Sequence, residues 1–577
     1  MSVHNADISR IFEEIADLLE IGDANPFRVR AYRRAARVIG ELQLDVAAAV
    51  HHGETLPKLP GIGDDLSGKL HEIARTGHCA LLDRLRKQAP ATITDLLAIP
   101  GLGPRRVRTL YRELDVQTME QLHRAARDGR IHTLHGFGEK TELNVLRAVE
   151  SRLSKAHRCK LTVAAQYAKA YVEYLRSAPG IGRVVLAGSM RRMRDTVGDI
   201  DILVTSEASS DVTERFVHYG EVRQVLSHGP TRASVTLHCG LQVDLRVVRA
   251  ESYGAALHYF TGSRAHNIAM RALAQQQGLK LNEYGVFRNA RRVAGETEES
   301  VYAAVGLPFI PPELREDHGE IEAARGGYLP QLVRITDIKG DLHSHTRWSD
   351  GYDSVEAMAL AAKARGYEYL AITDHSRRLT AAHGLDPERL RRQLDEIARN
   401  TTPGITLLKG IEVDILEDGA LDLPDSVLQQ LDIVIAAVHS RFNLSRARQT
   451  ERILRALEHP LVTMLAHPTG RLIESREPYD VDMLQILRKA SARGRFLELN
   501  AHPERLDLSD TYCHMAKDEG VLVSVNSDAH GVSQFDNLQY GIGQARRGWL
   551  ARKDVLNTRN CAQLRALIGA PRRRTAP

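Results

Sequence analysis

The sequence predicts a multidomain chain: an α-helical N-terminal region, an α+β central unit and a C-terminal α/β barrel. Three observations predict it. Gly-x-Gly turns recur ahead of helical runs, two aspartates alternate along a central strand at Asp199 and Asp201, and beyond residue 338 short apolar segments that end in His, Asp or Glu alternate with helical stretches. At 577 residues the chain is too long for one core, and the size prior gives about three to five domains. Hydrophobic residues at 43% and charged residues at 26% are globular values, so only the tail 571–577 is expected to lack order. A formal net charge of +5 suits a nucleic-acid partner without requiring one. Five cysteines, Cys79, Cys159, Cys239, Cys513 and Cys561, show no CxxC spacing, which argues against a disulfide framework and a thiolate zinc site and fits a reducing cytoplasm. No basic-then-apolar start and no bilayer-length apolar run are seen, so a cytoplasmic protein without membrane contact is expected.

Residues 1–90 read as helical, with Ile8, Ile11, Phe12, Ile15, Leu18 and Leu19 at helical spacing and a break at Asn25-Pro26. The next helix interleaves Arg28, Arg30, Arg33, Arg34 and Arg37 with Phe27, Tyr32, Ala35, Ala36 and Val38, which places a cationic face over an apolar one. A solvated face explains that pattern as well as a phosphate-binding one. The turns that follow favour phosphate. Leu59-Pro60-Gly61-Ile62-Gly63 opens one helix, Ile99-Pro100-Gly101-Leu102-Gly103 another, and Leu134-His135-Gly136-Phe137-Gly138 is a weaker third copy within residues 91–155. Each aims the unsatisfied N–H groups of a helix start outward, where phosphate is their natural partner. They resemble helix-hairpin-helix elements, which hold a DNA backbone without reading bases, so binding should be salt-sensitive and largely sequence-independent. Arg28 and Tyr32 join the six glycines as expected DNA contacts.

Residues 156–250 centre on two strands. Arg183-Val184-Val185-Leu186-Ala187 runs into a Gly188-Ser189 turn with Arg191 and Arg192 beside it, and the second strand begins after Gly198. Side chains alternate along a strand, so Asp199 and Asp201 share one face while Ile200 and Ile202 point to a core. Asp244 supplies a third carboxylate on another alternating strand. Like charges brought so close call for a cation, and oxygen-only ligands suit Mg²⁺ or Mn²⁺. The constellation resembles the nucleotidyltransferase superfamily and, more closely, the palm of family X DNA polymerases; Met193 stands where that family usually has Gly. The resemblance extends through residues 251–315 to the family's thumb, carried by His258-Tyr259-Phe260-Thr261-Gly262-Ser263 and Asn267. It implies that Ser189, Arg192, Gly198, Tyr259, Phe260, Gly262 and Asn267 form the nucleotide pocket. In polymerase beta-like members a lysine matching Lys69 removes 5′-deoxyribose phosphate as a Schiff base, although Asp65, one turn earlier, would keep Lys69 charged.

The stretch from Leu307 through Gly327 is Pro- and Gly-rich with mixed charge and reads as a linker, assigned to residues 316–337, and a last domain fills 338–577. His343 and His345 share one face of a strand end, and Asp350, His375, Glu412, His439, His467, Asp528 and His530 follow at similar strand ends. Helical stretches at Val355–Arg365, Pro387–Arg399 and Arg446–Glu458 alternate with them, which argues for a βα barrel converging on one site. This resembles the polymerase and histidinol phosphatase (PHP) domain, a distorted seven-stranded (βα)7 barrel that binds two or three ions, Mn²⁺ or Zn²⁺, and hydrolyses phosphoesters. All nine positions are implied as its ligands, with Asp374 and Asn526 behind them.

In this order the domains resemble bacterial family X DNA polymerases with an attached 3′–5′ exonuclease. The resemblance implies filling of short gaps in DNA repair with dNTPs on gapped or nicked DNA, by a monomer, and trimming of 3′ ends by the barrel, with abasic sites and 3′-phosphates as further candidate substrates. Three alternatives stay open: a PHP phosphoesterase whose polymerase-like half only binds DNA, a small-molecule phosphatase such as a histidinol phosphatase, and a chain that only binds DNA, which fails if either set of metal ligands is catalytic.

Overall fold

The computed structural model describes residues 3–574 except 43, 53–55, 57–58, 60, 88–92, 100, 155–157 and 401. Pro60 and Pro100, ahead of the first two Gly-x-Gly turns, lie outside the described residues. The chain forms two compact units, one of residues 1–186, 196–248 and 474–476, the other of residues 187–195, 249–473 and 477–577.

The first unit opens with helices. Asn5–Ile21 buries Ile8, Phe12, Ile15 and Leu19, and packs against Pro26–Gly40, whose start is fixed by Pro26 and by Asn25 accepting a bond from the Phe27 N–H. The arginines of the second helix are exposed. Phe27, expected on the apolar face, is 76% exposed, with the Arg30 guanidinium over its ring. Two short strands, β1 (Cys159–Lys160) and β3 (Thr196–Val197), pair with each other. The five-stranded sheet contains β2 (Val184–Leu186), β4 (Asp199–Thr205), β5 (Val222–His228), β6 (Arg232–Leu237) and β7 (Gln242–Val248), in the order β2-β4-β7-β6-β5. Only β4 and β7 run parallel. Ile200, Ile202, Val243 and Leu245 are buried on one face of these two strands, which commits the aspartates to the other.

In the second unit, helices Tyr253–Thr261 and Arg264–Gln276 accompany an antiparallel sheet of β8 (Lys280–Asn282), β9 (Gly285–Arg288) and β10 (Arg291–Ala294). Residues 316–337 are not a bare tether. Helix Glu320–Gly326 lies within them, and Ile321, Ala324 and Leu332 share a core with Met270, Val301 and Tyr302. Glu320 accepts a bond from buried His266 at 2.6 Å, an anchor that composition does not reveal.

Seven parallel strands follow in sequence order: β11 (Gly340–Asp341), β12 (Tyr369–Ile372), β13 (Thr406–Asp414), β14 (Ile433–Ala437), β15 (Met464–Leu465), β16 (Phe496–Asn500) and β17 (Val523–Asn526). A bridge between Ser344 and Ala529 brings the extensions of the first and last strands together, so the barrel is nearly closed. Strands β12 and β14 are buried throughout, as continuous apolar runs covered on both faces must be, and β16 is equally buried although it carries Glu498 and Asn500. The last helix, Cys561–Arg574, carries regular backbone through 571–574, where order was not expected; 575–577 lie outside the described residues. Among the described residues no helix is long and apolar enough to cross a membrane.

Candidate functional sites

The three Gly-x-Gly turns share one local design. Gly61, Gly101 and Gly136 adopt φ of 74°, 86° and 83°, a left-handed backbone that favours glycine. Gly63 and Gly103 then sit at the N-caps of helices Asp64–Thr76 and Pro104–Leu114, and Gly138 accepts from the Thr141 and Glu142 N–H groups of the third helix. At Gly61 a Cβ would lie 2.5 Å from Nε of Arg34, so the basic helix packs directly on the first turn. The copies differ electrostatically. The first helix begins with exposed Asp64 and Asp65 and the third with exposed Glu139, whereas the second begins Pro104-Arg105-Arg106. Carboxylates at a helix start oppose an incoming phosphate, and the second copy alone of the three lacks one there. Tyr32 does not share this surface: it is 1% exposed and packs on Phe12 with ring centroids 5.7 Å apart. Its helical position, three residues from Val29 and Ala35, faces the core. Lys69 is bonded to Asp65. Burial would lower its pKa, but Asp65 and Tyr32 together outweigh burial and raise it, so the amine is held as an ammonium.

On the five-stranded sheet, the parallel register sets Asp201 directly opposite Asp244. Asp199, Asp201 and Asp244 each offer an oxygen within 4.8 Å of the others. Asp244 is oriented by Ser234 Oγ and by Gln242 Nε2 at 3.0 Å. Three partly exposed carboxylates sharing one point fit a hard divalent cation.

The remaining pocket candidates, Gly198 excepted, belong to the second unit. Ser189 lies in the one-turn helix Gly188–Arg191, its Oγ sheltered and without a hydrogen-bond partner. Arg192 donates to the Thr261 carbonyl, next to Gly262, where φ is 69°. Tyr259 and Phe260 meet edge to face at 5.1 Å, and Asn267 Nδ2 donates to the Tyr259 carbonyl at 2.7 Å while its buried Oδ1 has no partner. Ser189, Arg192, Tyr259, Phe260, Gly262 and Asn267 are thus held within one unit. Gly198 precedes β4 in the other, with Arg158 Nη1 3.3 Å from where a Cβ would stand.

At the C-terminal ends of the barrel strands the imidazoles converge on Glu412. Its Oε1 lies 2.8 Å from His467 Nε2 and 3.3 Å from His439 Nε2; its Oε2 lies 2.7 Å from His375 Nδ1 and 3.5 Å from His343 Nε2. Three groupings have the spacing to hold an ion: His345, Asp350, His375 and His530; His343, His345 and Asp528; His375, Glu412 and His439. His467 belongs to none of the three and instead bonds to Glu412. Sheltered His343 Nε2 and His345 Nδ1 have no hydrogen-bond partner, and His375 Nδ1 and Glu412 Oε2, although 2.7 Å apart, are not aligned for a hydrogen bond. Buried polar atoms rarely go unsatisfied, and lone pairs aimed at a common point suit metal ions, so the residues fit the group that the fold implies.

Charges here are strongly coupled. Burial disfavours ionisation of His439, but Glu412 and Asp414 outweigh it and raise its pKa to about 10. His530 is raised in the same way to about 9, against burial, by Asp350. His345, buried beside His530 and His375, falls to about 3.

Two supporting carboxylates had not been anticipated. Glu498 accepts from His343 Nδ1 at 2.7 Å and from Asn526 Nδ2 at 2.9 Å, and Asp414 accepts from His439 Nδ1 at 2.9 Å. The available signals were an acidic residue inside the apolar run Phe496–Asn500 and an Asp two positions beyond Glu412. Asn526 therefore acts through Glu498. The Asp374 carboxylate accepts from the Thr346 N–H and Ser349 Oγ and so shapes the turn that carries Asp350, while its carbonyl accepts from the Glu412 N–H at 3.1 Å.

A carboxylate trio on one sheet and an imidazole-rich cluster at a barrel mouth define a metal-dependent phosphoryl-transfer enzyme. Sequence models of known families match four stretches: a helix-hairpin-helix domain at residues 3–79, a SAM-like helix-hairpin-helix tandem at 93–151, a DNA polymerase beta thumb at 256–316 and a PHP domain at 341–502. A Bacillus subtilis protein named DNA polymerase/3′-5′ exonuclease PolX is 37% identical over 98% of this chain and 99% of its own length. Proteins named Probable phosphatase from Thermoanaerobacter sp. and Acetivibrio thermocellus are each 31% identical, over 38% and 34% of this chain and 89% and 83% of their own lengths. The chain belongs to the bacterial family X DNA polymerases that carry a C-terminal PHP domain. Divalent metal ions serve both catalytic domains of such a chain.

Proposed function

We infer that the chain fills short gaps in DNA during repair and trims 3′ ends with its barrel, its family supplying the two activities of DNA-directed DNA polymerase and 3′–5′ exonuclease. The observation that carries this reading is the presence, in one chain, of two ion-competent clusters of different chemistry. The working division is 1–90 and 91–155 for DNA tethering, 156–250 for the palm, 251–315 for nucleotide selection and 338–577 for the phosphoesterase. Gapped or nicked DNA and dNTPs are the substrates, and the enzyme acts as a cytoplasmic monomer.

In synthesis the primer 3′-hydroxyl attacks the α-phosphate of the dNTP and pyrophosphate leaves. Asp199 and Asp201 would hold both ions, Mg²⁺ or Mn²⁺, and Asp244 the one nearer the primer. Ions so held supply charge neutralisation and a lowered pKa for the attacking oxygen. Ser189 Oγ and the free edge of the Arg192 guanidinium receive the triphosphate, while Tyr259 and Phe260 pack under the sugar and disfavour a 2′-hydroxyl. In the barrel His343, His345, Asp350, His375, Glu412, His439, His467, Asp528 and His530 would hold two or three ions, Mn²⁺ or Zn²⁺. Glu498 and Asp414 keep protons on the Nδ1 atoms of His343 and His439, turning both Nε2 lone pairs toward Glu412.

A gapped duplex incubated with wild type, Asp199→Ala/Asp201→Ala and His343→Ala/His345→Ala separates the two activities. The first variant should lose synthesis alone and the second degradation alone. A second reading, a small-molecule phosphatase, draws support from the relatives named Probable phosphatase, which match only the barrel part of the chain; faster turnover of histidinol phosphate than of DNA ends would favour it.

A further inference from the structure

We propose that the barrel-side helix Leu538–Arg547 braces the loop of residues 187–195, making Arg547 a positioning residue for nucleotide binding by Ser189 and Arg192; the proposal rests on the nucleotide pocket assigned above.

Arg547 is a buried cation, its side chain 2% exposed, and three partners satisfy it. Nη1 donates to the Arg192 carbonyl at 2.9 Å and to Glu316 Oε1 at 2.8 Å, and Nη2 donates to Asp510 at 2.5 Å. The same Glu316 oxygen accepts from Arg192 Nε at 3.0 Å. A guanidinium taken out of water is tolerated only when so fully paired, and its fork geometry fixes the groups it joins. Arg192 is therefore held twice, by its backbone through Arg547 and by its side chain through Glu316.

The rest of the loop is fastened to the same unit. Asp195 pairs with Arg471 at 3.1 Å, and Arg471 is itself bonded to the Arg505 carbonyl at 2.8 Å. Between these anchors Met193 stands at φ 55°, in the left-handed region that favours glycine. Its side chain lies against Gly543 of the bracing helix. A Cβ on Gly543 would come within 2.5 Å of Met193 Cε and 3.0 Å of Met193 Cβ. Gly543 leaves room for the methionine, and the methionine occupies the space.

Two consequences oppose nucleotide binding when Arg547 is lost. The loop gives up its backbone anchor, and Glu316, no longer shared, turns its full charge on Arg192 in competition with the triphosphate. Both act on affinity more than on the chemical step, which separates positioning from catalysis.

Steady-state single-nucleotide gap filling with the full chain tests this. For Arg547→Ala the KM for dNTP should rise about tenfold with kcat within about twofold and the 3′–5′ exonuclease rate unchanged; Arg547→Lys should recover part of the loss. Gly543→Ala should raise KM, and adding Met193→Gly should reverse that rise. A KM within about twofold of wild type in a folded Arg547→Ala overturns the brace, as does an equal fall of kcat and exonuclease rate. Should Arg547→Ala fail to fold, the Gly543/Met193 cycle decides: no coupling between the two positions rejects the proposal. Arg192→Ala is the separate control, since an unchanged KM there rejects the nucleotide pocket itself, whereas a raised one beside a silent Arg547→Ala rejects only the brace.

Discussion

The two ion-competent clusters are opposite solutions to one problem. On the five-stranded sheet three carboxylates of adjacent parallel strands form a sparse, partly exposed set, backed by Ser234 and Gln242. At the barrel mouth eight residues from many strand ends gather with buried Glu412, and the outer nitrogens of His343 and His439 are held by Glu498 and Asp414. A sparse set leaves coordination positions for a substrate that brings phosphate oxygens of its own. The dense set would supply nearly every ligand from the protein, so ions held there would belong to the enzyme more than to the reaction cycle.

The sharpest way to break this contrast is the paired double substitution. Asp199→Ala/Asp201→Ala should lower gap filling by at least about a thousandfold, the several kcal/mol that ion-assisted phosphoryl transfer contributes, and leave exonuclease intact; His343→Ala/His345→Ala should do the reverse. Cross-loss in either direction, seen on one gel, would sink the separation. Next come the supports. Glu498→Gln and Asp414→Asn should each weaken ion binding or exonuclease about 10- to 100-fold without slowing synthesis; rates within twofold of wild type would show the dense centre to be over-determined.

A smaller effect is tied to pH. With pKa values raised to about 9 and about 10, His530 and His439 are protonated at neutrality before an ion enters. Loading must expel those protons, so apparent Mn²⁺ affinity at the barrel should climb, by up to about tenfold per pH unit for each proton expelled, from pH 6.5 to 8.5. A titration followed by calorimetry in buffers of different ionisation enthalpy reads the proton release directly, with His343→Ala/His345→Ala as background; a flat profile contradicts it. Least affected of all should be Lys69. Held as an ammonium by Asp65, it should give little borohydride-trapped adduct with an abasic 5′ end, and Asp65→Asn should increase that yield a few-fold. Strong trapping by the wild type would show that DNA rearranges the pair.

Much of this was legible in the sequence because strands are periodic. Asp199 and Asp201 had to share a face, and apolar runs ending in His343, His439 or His467 had to present those imidazoles at strand ends. What escaped was set by distant partners. Glu498 looks like an acid stranded in an apolar run until the barrel closes and brings His343 within 2.7 Å. Residues 316–337 look like a tether until Glu320 finds His266. Tyr32 sits among arginines in sequence, yet a helix turns 100° per residue and carries its ring inward. Met193, an oddity in the one-dimensional pattern, makes sense only beside Gly543.

Glu412 has a last consequence. Because one oxygen faces His439 and His467 and the other faces His375 and His343, occupancy at any corner of the barrel mouth changes the field felt at the rest. Filling one corner should therefore alter binding at the next, and a titration of exonuclease activity with Mn²⁺ should depart from a simple hyperbola.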